Sequence, residues 1–176
     1  MAKWIKRIVV IFALLVVAFA VVGWFLPTEF KLTREIVINA EREKIHDFVE
    51  DLEKWDMWTP WSEADPTIVV TRGKQTKGVG AGQAWNGRGS DGMLTVTASS
   101  PQRGIEYDLF FDGGGFQCVS AMRYTSAGQG TTVTWMMSGD IDVPVIGGYF
   151  AALMDVWVGP MFERGLERLK AVAEGG

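Results

Sequence analysis

The chain has 176 residues but only one cysteine and one histidine. A lone Cys118 excludes an internal disulfide framework and a cysteine-based metal cluster. It sits between Phe116 and Val119 with no basic neighbour in sequence, which suits a small inert apolar residue better than a reactive thiolate. A lone His46 excludes a Ser-His-Asp site unless His46 itself serves. Set between Ile45 and Asp47 in a charged stretch, it reads as a plain surface histidine. Prolines number six against 21 glycines, and no segment has the composition of a disordered tail, a repeat or a low-complexity tract. Acidic residues are missing from the first 28 positions. Beyond Pro27, twenty-one acidic residues face fourteen basic ones, a net charge of −7. Nucleic-acid binding relies on neutralising phosphates, so a nucleic-acid partner is excluded. Metal-ligand spacing is absent, so no metal is expected. Gly78-Val79-Gly80-Ala81-Gly82 lacks a following Lys-Ser/Thr and leads into a strand, so it is a turn and not a phosphate loop. No cofactor is expected.

What the N-terminus does have is a long apolar run. Ile8 to Leu26 is nineteen residues without a charge. At about 1.5 Å per residue it reaches roughly 28 Å, close to the hydrocarbon thickness of a bilayer. Lys3, Lys6 and Arg7 precede it, and Trp4 and Trp24 sit at its ends as interfacial aromatics do. The reading is a membrane anchor over residues 1–27, with a transmembrane helix at about 8–26. The expectation is a single-pass protein of the plasma (inner) membrane, and the positive-inside rule gives it a cytoplasmic N-terminus. The domain 28–176 then lies on the periplasmic or extracellular side. A cleaved signal peptide competes, because Ala18-Phe19-Ala20 resembles a cleavage site. Against that, the run continues through Val21, Val22, Trp24, Phe25 and Leu26.

After Pro27 the pattern changes. Phe30–Ala40 alternates and predicts a strand ending near Asn39. Glu41–Lys54 carries Ile45, Phe48, Val49 and Leu52 at helical spacing, which predicts one or two short helices. Trp55-Asp56-Met57-Trp58-Thr59-Pro60-Trp61 follows, with three of the eight tryptophans three residues apart. Thr59-Pro60 stops the helix. Short strands are then expected at Thr67–Arg72, Gly82–Asn86, Gly92–Ser99, Ile105–Phe111, Phe116–Tyr124 and Thr131–Met137, separated by turn signals. Six or seven strands at hairpin spacing predict one antiparallel meander. Tyr149–Val172 turns to a helical period, an amphipathic helix of about six turns that Gly159-Pro160 should kink near Val156–Gly159.

Strand, short helices, meander and long terminal helix make an α+β domain. An antiparallel sheet needs its apolar face covered, and here the terminal helix must do most of that. If the sheet curls around the helix, a cavity can open between them. The stretches WDMWTPWSEADP (55–66), GQAWNG (82–87), GTTVTWMMSGD (130–140) and MDVWVGPMFERGLERLK (154–170) resemble the START-like, birch-pollen-allergen-like superfamily. That group is also known as SRPBCC or polyketide cyclase/dehydrase-like, and the match is to its membrane-anchored bacterial branch. The resemblance covers roughly residues 30–173 and implies a helix-grip fold, a curved antiparallel meander wrapped around the C-terminal helix. The superfamily includes lipid carriers, metabolite binders and aromatase/cyclases, and fold alone does not choose among them.

Trp55 is expected in the core. Trp58 and Trp61 flank a proline turn, and one or both should face the cavity, as ligand contact or as structural plug. Trp85 and Tyr107 lie on strands. Trp135 and Met137 share a strand face expected to point inward. Phe150, Met154 and Trp157 share a helix face expected to lie opposite that sheet. These nine residues are the candidate ligand-binding set, and a cavity so lined suits an apolar ligand. The competing expectation is that the same side chains meet and leave no room. No acid/base or nucleophile constellation is visible, so no catalytic residue is assigned, although Tyr107 could supply a polar group to a cyclase. Three functions remain open. The first is membrane-tethered binding of a small apolar ligand (a lipid, isoprenoid or polyketide-like compound). The second is a cyclase- or dehydratase-like enzyme using the same cavity, and the third is a protein-interaction module with a packed core.

Overall fold

The computed structural model describes residues 2–89 and 91–175. The chain opens with helix α1, Ala2–Phe25, long and apolar enough to cross a membrane or to serve as a signal sequence. Strand β1, Glu29–Ile38, follows. Next come α2, Arg42–Val49, a 3-10 helix at Leu52–Met57, and the single turn α3, Trp61–Ala64. Six strands succeed them: β2 Val69–Arg72, β3 Gly82–Asn86, β4 Gly92–Ser100, β5 Gly104–Phe111, β6 Phe116–Ala127 and β7 Gly130–Asp140. Helix α4, Gly147–Glu174, ends the fold.

All seven strands form one antiparallel sheet in the order β1-β7-β6-β5-β4-β3-β2. The register sorts the inner face into rows. Leu32, Met137, Ser120, Tyr107 and Val96 lie side by side across five strands. A neighbouring row runs through Phe30, Gly139, Cys118, Leu109, Leu94 and Gln83. The last row, at the sheet end nearest α1, holds Phe116, Phe111, Gly92 and Trp85. Alternation along each strand sends these side chains to one face and their neighbours to solvent.

The second half of α4 buries Phe162, Leu166, Leu169 and Ala173 against this face. Gly165 leaves room there for Trp135, because a Cβ would lie 2.8 Å from the indole. Helix α4 runs uninterrupted from Gly147 to Glu174 with Pro160 inside it. The fold is α+β, as the pattern predicted, and helix-grip-like, as the resemblance implied.

His46 departs from expectation. It is buried at 3% exposure instead of lying on the surface. Charges flank it in sequence, but α2 turns Ile45, His46 and Val49 onto one face. The 3.6-residue period outweighs local composition.

Candidate functional site

The three clustered tryptophans lie in the core beside the second half of α4. Trp55 and Trp58 are buried, and Trp61 is partly so. Their indole nitrogens explain the spacing of the first two: Trp55 Nε1 donates to the Val49 carbonyl at 2.8 Å, and Trp58 Nε1 to the Phe48 carbonyl at 3.2 Å. Both bonds tie the 3-10 segment back to the end of α2, satisfying a group that burial would otherwise strand. Trp58 and Trp61 each meet Trp135 edge-on, at ring separations of 5.4 and 6.0 Å. Trp135 in turn stacks on Phe162 at 3.8 Å. Each such aromatic pair adds about 0.5–1.5 kcal/mol beyond its buried area. Trp58 and Trp61 therefore both pack on Trp135, which packs on Phe162 of α4.

Tyr107 belongs to the same packed end. Its hydroxyl accepts from Trp135 Nε1 at 2.9 Å and lies 2.9 Å from Ser120 Oγ, which also reaches the Met136 carbonyl at 2.8 Å. Burial pushes the phenol well above its usual range, opposed by the bonds from Ser120 and Trp135. It is a fixed neutral hydroxyl in a closed network.

The other end of the sheet is less closed. Trp85, Phe111, Phe116 and Phe30 form a continuous aromatic line, with neighbouring rings 5.4, 5.5 and 6.0 Å apart. Phe30 is buried, whereas Trp85, Phe111 and Phe116 are only partly covered. Met137 and Cys118 are buried on the rows beside them. Burial alone raises the Cys118 thiol to about 12.

Over this end the first half of α4 places its residues differently from expectation. Ala151, Val158 and Phe162 mark the line turned to the core. Arg34 of β1 bonds Asp155 at 2.8 Å and Glu163 at 2.6 Å and lies beneath Gly159, which marks the flank on the β1 side. At about 100° per residue, Phe150, Met154 and Trp157 fall on the opposite flank, away from β1. Phe150 and Trp157 are 43% and 47% exposed, and Met154 is partly buried. They do not lie opposite Trp135 as the sequence reading expected. Phe162, Leu166 and Leu169 set the rotation of the helix, and Gly147, Gly148 and Ala151 are the small residues that rotation turns inward.

Two apolar surfaces are thus left half-covered: the Trp85–Phe111–Phe116 line on the sheet and the Phe150–Met154–Trp157 flank of α4. One buried polar atom lies near the sheet line. Gln83 lies two residues before Trp85 on the same face of β3, is 9% exposed, and its Oε1 is buried with no hydrogen-bond partner. Sequence reasoning missed Gln83. Its only signal was a polar residue at an inward position of an alternating strand.

Two recesses lie elsewhere. One of about 710 Å³ lies on the outer face, where Lys31, Phe110, Val119 and Ser138 point away from the core. The other, about 670 Å³, is bordered by Ser99, Arg103, Arg123 and Tyr124. Behind it His46 contacts Ser99 Oγ at 3.2 Å and Tyr124 Oη at 3.4 Å. Burial lowers the His46 pKa, partly offset by Glu50. Among the described residues no group of three His, Cys, Asp or Glu is placed to hold a metal ion.

The sequence profile described as "Polyketide cyclase / dehydrase and lipid transport" matches residues 29–174, almost the whole of the chain after α1. The chain belongs to that family. Solved structures agree on the fold of this polyketide cyclase/dehydrase and lipid-transport member. KanY is 18% identical with a TM-score of 0.61, over 84% of this chain and 99% of that one. Ara h 8.0201 is 12% identical with a TM-score of 0.56, over 84% and 99%. A protein from Chromobacterium violaceum is 14% identical with a TM-score of 0.56, over 82% and 96%. No curated protein matches the chain. Family membership supports a ligand-binding or cyclase-like role.

Proposed function

We propose that the chain is a membrane-tethered binding protein, with residues 1–27 as anchor and 28–176 as a domain outside the cytoplasm. It holds a small apolar molecule of lipid, isoprenoid or polyketide-like class, bearing a hydroxyl, in the groove between α4 and β3–β5. One observation carries the reading: aromatic side chains on the sheet and on the first half of α4 are left half-covered, while the same fold packs its other end tightly. Exposed apolar surface of this kind marks an interaction site. The unpaired Gln83 Oε1 supplies the polar element, because a buried acceptor is costly until a donor meets it.

Binding is favoured over cyclase chemistry by Tyr107. Its hydroxyl is enclosed with Trp135 and Ser120, away from the groove, and its proton is held by burial.

The test uses the full chain in lipid nanodiscs. Native mass spectrometry and solvent extraction should show a co-purifying apolar molecule. Trp85→Ala and Phe111→Ala should each lower its occupancy while leaving the fold intact by circular dichroism. A domain that is empty in every preparation, and whose fluorescence ignores added fatty alcohol, would refute the proposal and favour a protein-interaction role.

A further inference from the structure

Helix α4 docks on α1. Tyr149 Oη donates to the Phe19 carbonyl at 2.9 Å, and the two rings stack at 4.3 Å. The backbones also meet closely: a Cβ on Gly23 would lie 2.0 Å from the Val145 carbonyl oxygen, and one on Gly148 would lie 2.4 Å from Leu26. Val145 reaches this position with φ at +70°, costly for a β-branched residue unless its surroundings impose it. The junction is built and specific.

Its depth follows from α1. Phe19 lies seven residues before Leu26, roughly 10 Å back along the helix from the end of the apolar run. If α1 spans a bilayer, Tyr149 is drawn below the plane where the span ends. The side of α4 that docks then continues without a polar break. Tyr149, Leu153 and Val156 follow at i, i+4 and i+7, one stripe of the helix. Ile146, Phe150 and Trp157 border it, and all of these but Tyr149 are two-fifths or more exposed. From Gly147 to Pro160 the one charged side chain is Asp155. It turns to the other side of the helix and is paired with Arg34. Trp157 suits a level where one part of a ring is apolar and the other wet.

We infer that the first half of α4, Gly147–Pro160, is seated in the outer membrane–water interface beside α1, so that the groove opens onto the bilayer and exchanges its ligand directly with lipid. The inference rests on the tethered-binding reading and adds the route of the ligand. It commits to lipid as the occupant because the exposed stripe is continuous with the α1 docking face.

The test is spin labelling of the full chain in vesicles of phosphatidylcholine with phosphatidylglycerol. The background is Cys118→Ala, and labels are placed by Leu153→Cys and Val156→Cys on the stripe. Leu15→Cys reports the span, and Glu167→Cys reports the exposed second half of α4. Collision with oxygen should exceed collision with a water-soluble nickel chelate at 15, 153 and 156, with the reverse at 167. Lipid contact at 15 with water contact at 153 and 156 overturns the inference and leaves the tether standing. Dipolar broadening at 153 and 156 that grows with protein-to-lipid ratio also overturns it, because a second copy then covers the stripe. Water contact at 15 refutes the tether, and the inference falls with it.

Discussion

Replacing Gln83 by methionine tests the groove most directly. Gln83→Met keeps the length of the side chain and removes its amide. Oε1 is buried with no hydrogen-bond partner among the protein's own groups. A group in that state costs about 1–3 kcal/mol, and an apolar replacement of similar shape removes the cost. Met also adapts well to irregular space. The ligand-free variant should therefore gain about 1–3 kcal/mol. For a domain of this size each kcal/mol moves Tm by about 2–4 °C. Near-ultraviolet circular dichroism of the full chain in detergent, followed with temperature, reads the shift. The second arm compares a fatty alcohol with the alkane of the same length. A hydrogen bond contributes about 0.5–1.5 kcal/mol, so the alcohol should lose roughly two- to tenfold in affinity. The alkane should lose nothing. A variant less stable than the parent would show that Oε1 is satisfied, which refutes the premise. Equal effects on alcohol and alkane would show that the amide does not face the ligand.

Two further predictions concern single buried residues. Burial lowers the His46 pKa below its ordinary 6.5, so the unfolded chain binds a proton that the folded chain resists. The stabilisation is complete above pH 6.5 and is lost as pH falls from there through the depressed folded value. Glu50, Asp47 and Glu43 oppose the shift and Lys77 supports it. Denaturant midpoints between pH 8 and pH 5 should fall, and His46→Gln should flatten that slope; an unchanged slope would remove His46 as its source. Cys118, with its thiol near 12, should resist maleimide at pH 8 in the folded chain and react fully in guanidinium. Fast labelling of the native protein would refute its burial.

Most of the architecture was legible in the sequence because it rests on local periodicity. Alternation located β1 and β3 to β7 to within three residues at each end. The 3.6-residue period located α4, and an uncharged run located α1. Trp55 was readable as core because it continues the stripe of Ile45 and Leu52. Which tryptophans close the interior and which line an opening was not readable. Trp58 and Trp135 are separated by 77 positions and meet only because strand register and the 3-10 segment bring them together.

The rotation of α4 was likewise invisible. Phe150, Met154 and Trp157 share a helical face with Leu153, and sequence has no term for which face meets the sheet. Phe162, Leu166, Leu169 and the small residues around Gly148 decide that through packing against partners remote in the chain. The same holds for His46, which looks solvated until α2 turns it inward, and for Gln83, whose importance lies in a partner it lacks. The sequence by itself determined the elements, their order, the family and the apolar run at the N-terminus, because each depends on neighbours along the chain. Only the tertiary structure decided where the aromatic surface stays open, and that α4 leans on α1, because both depend on close approach between segments that no local pattern encodes.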